Sequence, residues 1–427
     1  MSGDLDFDHA ITIIDEYFGQ WKPNLDLPKF DVPEQKPMLA HKDTTVYGKE
    51  TAEVWMAWQF PGINDDDIDA MELMASVLYN GKCGLFDLDI SQRQQLLAAG
   101  AFPQESYDYS TFYLIGYPKD GQDLNEVKRI LLDEIEKLKK GDFSENMLDA
   151  IIANERRMEM QRMQLNSARV QKFVDAHIYG MPYEKIIQQL DRMAAITKND
   201  IMRVANQYLG DNYACVFKQQ RDTENPMKVD KPTITPIEMN REKQSDFLAK
   251  MADMHSEPMQ PQFFDMEKDV RKIQLDNGQT LLYCPNTEND LFDLEFIVKK
   301  GTASDPVIEL AIGLLDYLKT GHFTAEEYQT ALYALASSVY VYGDETETHF
   351  AIHGLQDGCE QALALLEEKV LKSQPDDKVL KELVNDLLKA HEDNKSSQDA
   401  CFNQLQQFGW MGQEAVRAMT LTPKQFK

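Results

Sequence analysis

The sequence predicts an α+β protein: two related domains, each a sheet with helices packed on one face, joined by a long linker. The first observation is an internal repeat. Strand-ending glycines at Gly62 and Gly301 lie 239 apart, helix-ending glycines at Gly81 and Gly321 lie 240 apart, and the turn KDG at 119–121 matches QDG at 356–358 at an offset of 237. The strands before those turns match in type, STFYLIG against ETHFAIH, and leucine- and acid-rich helices follow, LLDEIEKL against LLEEKVL. The second is that strands are followed by runs of helices rather than alternating strictly with them, which puts the helices against one sheet face. The third is a change of character over residues 219–268, with five prolines (Pro226, Pro232, Pro236, Pro258, Pro261) and six methionines, which reads as a linker.

Taken in order, residues 5–19 place Ile11, Ile14, Tyr17 and Phe18 on one helical face, with Gly19 as a stop. With no strand before it, that face needs a partner. Pro23, Pro28, Pro33 and Pro37 mark an extended connector. A strand over 53–60 ends at Pro61-Gly62, and a helix over about 66–79 starts behind the acids Asp65 to Asp67 and stops at Asn80-Gly81. The pattern then predicts a helix over 91–99, strands over about 105–116, and a long helix, LNEVKRILLDEIEKLKKG. Helices over 146–178, 183–191 and 198–209 follow, and the strand YACVFK ends at Lys218. Within the linker, a helix over 238–254 is expected, and Ile234, Phe247, Phe263 and Phe264 offer anchors to the surface. From Asp269, KIQLDNGQTLLYC uses Asn277-Gly278 as a hairpin turn. Residues 290–321 then repeat the earlier succession: a strand with Phe292, Leu294, Phe296 and Val298 on one face, a turn at Gly301, and an amphipathic helix ending at Gly321.

The chain of 427 residues is long enough for two to three cores. Its formal charge of −28 repels phosphate backbones and attracts cations, and no basic patch with interleaved aromatics is present, so nucleic acid is not expected as a partner. No apolar run reaches the ~20 residues of a membrane span, and the start MSGDLDFDHA carries no signal peptide pattern. The sequence reads as soluble, cytoplasmic or periplasmic. Five scattered cysteines without a C-x-x-C exclude a disulfide framework and a cysteine zinc site.

Eight histidines are the first zinc ligands to test. His349 and His353 lie on a strand and share its face without an intervening glutamate, His391-Glu392 ends a polar helix, and neither H-E-x-x-H nor H-x-x-E-H occurs. NGKCGLFD (80–87) lacks the phosphate-loop frame and reads as a close-packed turn. Met158, Met160 and Met163 read as helix packing, and Glu134 with Glu136 as a solvated acidic face in which no pair is isolated among apolar residues. No catalytic, cofactor-binding or metal-binding residue is therefore assigned.

The duplicated domain, the GDLD opening with a helix ending YFGQW, and the segment LDNGQTLLYCPN…VKKGTASD resemble the insulinase/pitrilysin family of zinc metallopeptidases over essentially the whole chain. The resemblance implies four homologous α+β domains in two halves closing around a peptide, with H-x-x-E-H and a downstream glutamate in the first domain binding zinc and activating water. On that frame residues 1–22 are the terminal helix of a preceding domain, 23–218 the second domain, 219–268 the linker between halves, and 269–427 a non-catalytic third domain that reads as C-terminally truncated. The H-x-x-E-H frame falls on residues 311–315, where Ala311 and Leu315 replace the histidines and Leu314 the glutamate, and Glu392 falls near the downstream ligand. The resemblance thus implies a central fragment of a zinc endopeptidase forming chamber wall, hinge and substrate-facing surface, inactive alone. Zinc belongs to the full-length protein and not to this chain. Its partners would be peptide substrates and the rest of its own chain or a homologous catalytic subunit. The alternative is a non-catalytic peptide-binding or assembly subunit of the same family.

Overall fold

A computed structural model describes residues 1–28, 32–221, 230–237, 239, 243–255, 260–261, 263–419 and 421. Pro226, Glu238 and Pro258 lie outside the described residues, as do residues 422–427 of the expected third domain. Contacts divide the chain into two units, Met1–Asp222 with Asn289–Lys427, and Thr223–Glu288.

In the first unit, α1 (Phe7–Phe18) begins at Asp6, whose carboxylate accepts from the His9 amide, and its apolar face with Ile11, Ile14, Tyr17 and Phe18 is exposed. The first copy of the repeat then runs β1 (Lys42–Gly48), β2 (Glu53–Pro61), α2 (Ile68–Leu78), a π-helical turn (Phe86–Ser91), β3 (Ala98–Gln104) and β4 (Tyr109–Tyr117). It continues with α3 (Leu124–Lys140), α4 (Glu145–Met163), α5 (Asn166–Ile178), α6 (Tyr183–Ile187), α7 (Gln189–Ala194), α8 (Lys198–Tyr208) and β5 (Ala214–Gln220). The sheet order is β1-β5-β2-β4-β3, antiparallel except for β1 beside β5. Alternation along β2 sends Val54, Met56, Trp58 and Phe60 into a core shared with Met71 and Met74 of α2, Leu131 and Ile135 of α3, and Val204 of α8. All helices of that core lie on one sheet face, the α+β arrangement the pattern predicts. The opposite face carries Trp55, Phe102 and Tyr113 as an aromatic cluster.

The unit Thr223–Glu288 contains α9 (Asp246–Ala252) and the hairpin β6 (Arg271–Gln274) with β7 (Thr280–Tyr283), turned at Gly278 with φ of +84°. The helix is shorter than 238–254, and Ile234, Phe247, Phe263 and Phe264 are exposed rather than anchored within this unit.

The second copy, in the first unit, runs β8 (Leu291–Val298), α10 (Val307–Leu315), α11 (Ala325–Ala334), β9 (Ser338–Gly343) and β10 (Thr348–Leu355), then α12 (Cys359–Lys372), α13 (Asp377–Asn394) and α14 (Gln398–Met419). Its sheet, β8-β10-β9, repeats the order and antiparallel sense of β2-β4-β3. The two copies are fastened through α11. Tyr333 enters the core of the first copy, and Asn154 Nδ2 donates to its carbonyl at 2.7 Å. Lys119 pairs with Asp386 at 3.1 Å at a more exposed point of the same junction.

Several elements differ from expectation for identifiable reasons. Residues 91–99 are not a helix: Gln94 adopts φ of +50°, and pairing with β4 draws 98–104 into a strand. The stretch 146–178 breaks into α4 and α5 at the extended Leu165. The helix after Gly301 ends at Leu315, six residues before Gly321, in tight turns from the Tyr317 amide to Leu314 and the Leu318 amide to Leu315.

Gly62 and Gly301 are where the repeat is most exacting. Neither has a positive φ. A Cβ on Gly62 would lie 2.1 Å from the Tyr107 carbonyl oxygen, and one on Gly301 would lie 2.4 Å from that of Asp344. In each copy the chain leaving the first strand runs against the hairpin joining the other two strands, with Ile63 N donating to Ser106 O and Thr302 N to Asp344 O, both at 2.9 Å. Only glycine admits this approach. Gly62→Ala and Gly301→Ala are therefore each expected to cost about 1–3 kcal/mol, while Gly409→Ala, which meets nothing within 4 Å, changes stability by less than about 0.5 kcal/mol. Urea unfolding of the three variants checks this.

Candidate functional site

A cavity in the first copy, of about 1090 Å³, is walled by α2, β3, α4, α5 and α7. A second cavity of about 680 Å³ lies beside α10, β9 and α14. They occupy the same place in the repeat. At the offset of 239 between Gly62 and Gly301, lining residues Ile63, Pro103 and Glu105 of the first correspond to Thr302, Tyr342 and Asp344 of the second. Each copy thus builds a hollow between the helix that follows its first strand and the outermost strand of its β-meander.

The first cavity is acidic, and its basic side chains are already engaged. Arg192 forms a forked pair with Asp69 at 2.7 and 3.2 Å. Lys172 meets Glu159 at 2.6 Å, Arg162 bridges Glu159 and Glu155, and Lys185 donates to the Asn64 carbonyl. Asp65, Asp66, Glu72, Glu105 and Asp175 also line the cavity and have no cation within ion-pair distance among the described residues. Glu72 sits deepest in this field. Burial first, then the hydrogen bond and charge of Glu105, and then the charge of Asp69 hold its carboxyl well above the usual 4.5, against one hydrogen bond from Gln189 at 2.8 Å. Glu105 Oε1 is buried with no hydrogen-bond partner among the described residues.

Sequence reasoning missed this pair. The signal was present at Glu72, the one charged residue between Ala70 and Leu78, so an acid does stand isolated among mostly apolar residues, contrary to expectation. Glu105 carries no such signal, since only β3 brings it to α2. Glu134 is also not solvated: it is 4% exposed and pairs with Lys137 at 2.8 Å.

The positions of the H-x-x-E-H frame offer no zinc site. Ala311 is exposed, Leu314 and Leu315 are half-buried packing residues, and Glu392 is an exposed partner of Lys395 at 2.6 Å. At the offset of 239 between Gly62 and Gly301, the same frame falls on Glu72, Ala75 and Ser76. Glu72 is there the one side chain of a usual zinc-ligand type, and it is committed to Gln189 and Glu105. Among the described residues no group of three or more His, Cys, Asp or Glu is placed to hold a metal. The residues therefore do not fit zinc. His349 and His353 share one face of β10, where His349 meets Glu295 at 2.9 Å and stacks on Tyr342, and His353 meets Asp293. In 80–87, Asp87 accepts from the Asn80 and Gly84 amides at 3.0 and 2.9 Å, and burial still raises its carboxyl to about 6, which makes this segment a close-packed turn.

Residues 1–155 match the family described as "Peptidase M16 inactive domain". A search of curated proteins finds no match. Among solved structures, the chain is similar to a protease from Helicobacter pylori, at 20% identity and TM-score 0.47, over 51% of this chain and 54% of that one. It is also similar to the ferredoxin protease FusC, solved as a mutant in complex with Arabidopsis ferredoxin, at 14% identity and TM-score 0.47, over 99% of this chain and 51% of that one. The periplasmic protease PqqL from Escherichia coli is similar at 13% identity and TM-score 0.42, over 99% of this chain and 50% of that one. The chain spans about half the length of these structures. No helix among the described residues is long and apolar enough to cross a membrane.

The Glu72 carboxyl makes a pH prediction with a definite sign. A carboxyl whose folded pKa is raised contributes its full stability below the unfolded value of 4.5, and that contribution is lost as pH rises through the folded value. Glu72→Gln, neutral at every pH, is expected to be more stable than the native chain at pH 8 and to lose that advantage at pH 4. Thermal unfolding across this range checks it.

Proposed function

We propose that this chain is a non-catalytic part of a zinc metalloendopeptidase that encloses peptides, forming chamber wall, hinge and substrate-facing surface. In this reading residues 23–218 and 269–427 are the two related domains, 219–268 is the linker between halves, and 1–22 is the terminal helix of a preceding domain. Zinc and the water-activating glutamate are carried by other residues of the full-length protein or by a homologous catalytic subunit.

The observation that carries this reading is the chemistry at the two frame positions. Ala311, Leu314 and Leu315 have no donor atom for a metal in their side chains, and neither Ala75 nor Ser76 supplies a histidine or carboxylate. What both copies retain is a cavity at that place. A fold that keeps the hollow and lacks the ligands is suited to receive a peptide without cleaving it. The Trp55, Phe102 and Tyr113 cluster adds apolar surface of the kind that peptide contacts use.

An internally quenched peptide incubated with the purified chain and zinc tests this. The expected result is hydrolysis no faster than in buffer, with the intact peptide bound by fluorescence anisotropy. Turnover that a chelator abolishes contradicts the reading.

A further inference from the structure

We propose that Asn277 is a site of spontaneous covalent modification, at which the side-chain amide is lost to attack by the Gly278 backbone nitrogen, leaving an aspartyl or isoaspartyl residue. Glycine after asparagine permits this attack because it has no β-carbon to screen its own nitrogen. The sequence holds two such pairs, Asn80-Gly81 and Asn277-Gly278. The fold gives them opposite surroundings.

Asn277 is exposed in the loop of the β6–β7 hairpin. The Gly278 amide donates to the Leu275 carbonyl at 3.0 Å, and the Leu275 amide to the Gln279 carbonyl at 2.8 Å. The Asn277 side chain is held by Gln279: its Oδ1 accepts from the Gln279 amide and its Nδ2 donates to Gln279 Oε1, both at 3.0 Å. A Cβ on Gly278 would meet nothing within 4 Å, so the turn lies in open space. The hairpin pairs with no third strand among the described residues, and of its strand residues only Leu281 is half-buried. A two-stranded hairpin by itself is marginally stable, so opening this turn to release the Gly278 nitrogen costs little.

Asn80 is held on every side. Its Nδ2 donates to the Ser76 carbonyl at 2.9 Å, and its Oδ1 accepts from the Lys82 and Cys83 amides at 3.1 and 2.9 Å. The Gly81 amide donates to the Asp87 carboxyl, and Cys83, Leu85 and Phe86 of the same loop are buried in the core of the first copy. The side chain cannot turn toward the Gly81 nitrogen without breaking these bonds. A carboxyl beside that nitrogen also opposes loss of its proton.

The chemistry needs only solvent. The Gly278 nitrogen gives its proton to solvent base and bonds to Asn277 Cγ. The Gln279 amide, already on Oδ1, stabilises the negative charge that this oxygen gains. The Cγ–Nδ2 bond then breaks, and the nitrogen takes up a proton and leaves as ammonia. Water opens the resulting cyclic imide at either of its two carbonyls. One product is aspartate, which keeps the backbone and an acceptor for the Gln279 amide. The other is isoaspartate, which routes the backbone through the side chain and adds a carbon to the loop. The register from Arg271↔Tyr283 to Gln274↔Thr280 cannot then be kept on both sides. The modification thus undoes a hairpin in the unit Thr223–Glu288 and falls in neither sheet of the repeat.

The test is incubation of the purified chain in mildly alkaline buffer, with and without urea. Digestion and mass spectrometry then distinguish amide from acid and aspartyl from isoaspartyl peptides. In the folded chain, acid is expected to accumulate at Asn277 about tenfold faster or more than at Asn80, with both products present. In urea the two rates should converge. Gly278→Ala should slow conversion at Asn277 whether or not the hairpin stays closed, since the added β-carbon screens the nitrogen in either state. Retention of the Asn277 amide for as long as that of Asn80 overturns the proposal. So does a difference between the two sites that persists in urea, or a rate at Asn277 that Gly278→Ala leaves unchanged.

Discussion

The structure depends on a backbone contact that leaves no room for a side chain: Gly62 and Gly301 pressed against the hairpins at Tyr107 and Asp344. This contact sets where the chain leaves the first strand of each copy, and so where the following helix starts relative to the outermost strand. The cavity between that helix and that strand follows from the placement. In the first copy its walls are Glu72 on α2 and Glu105 beside β3, and in the second Ile312 on α10 and Glu345 beyond β9. Repetition of the contact explains why two stretches of little sequence identity build the same hollow at one offset.

Once the scaffold is fixed, the two hollows differ by a few side chains, and those decide their chemistry. Glu72 is held uncharged more readily than an ordinary carboxyl because burial outweighs its one favourable hydrogen bond. At the offset of 239 the second copy has Ala311 at this position, a side chain that cannot ionise. Neither arrangement is one that grips zinc, since no set of three donors converges among the described residues. One scaffold is thus repeated while the side chains that line its hollows differ.

Much of this was legible from local signals. The helix Leu124–Lys140 was readable to the residue because Asp123 caps its first turn and Gly141, at φ +75°, closes its last. The hairpin at Asn277-Gly278 and the alternation of Phe292 and Leu294 were equally local. Elements that depend on distant partners were not readable. β1, KDTTVYG, is polar and exposed and exists because β5 pairs with it in parallel. Residues 91–99 have helix-forming composition, but Gln94 and the pairing of 98–104 with β4 override it. The repeat located Gly62 and Gly301 without explaining them, because the reason lies in hairpins more than forty residues away. The carboxyl pair was half visible: Glu72 stands out in an apolar helix, whereas Glu105 reaches it only through the fold.

We propose that neither copy has the means to hold zinc at the positions on which the H-x-x-E-H frame falls. Equilibrium dialysis of the purified chain against micromolar zinc, followed by metal analysis of the protein fraction, tests it most directly. The account predicts much less than one zinc per chain, with the same residual amount in Glu72→Gln. One tightly held zinc per chain, lost in that variant or in Glu392→Gln, would contradict it.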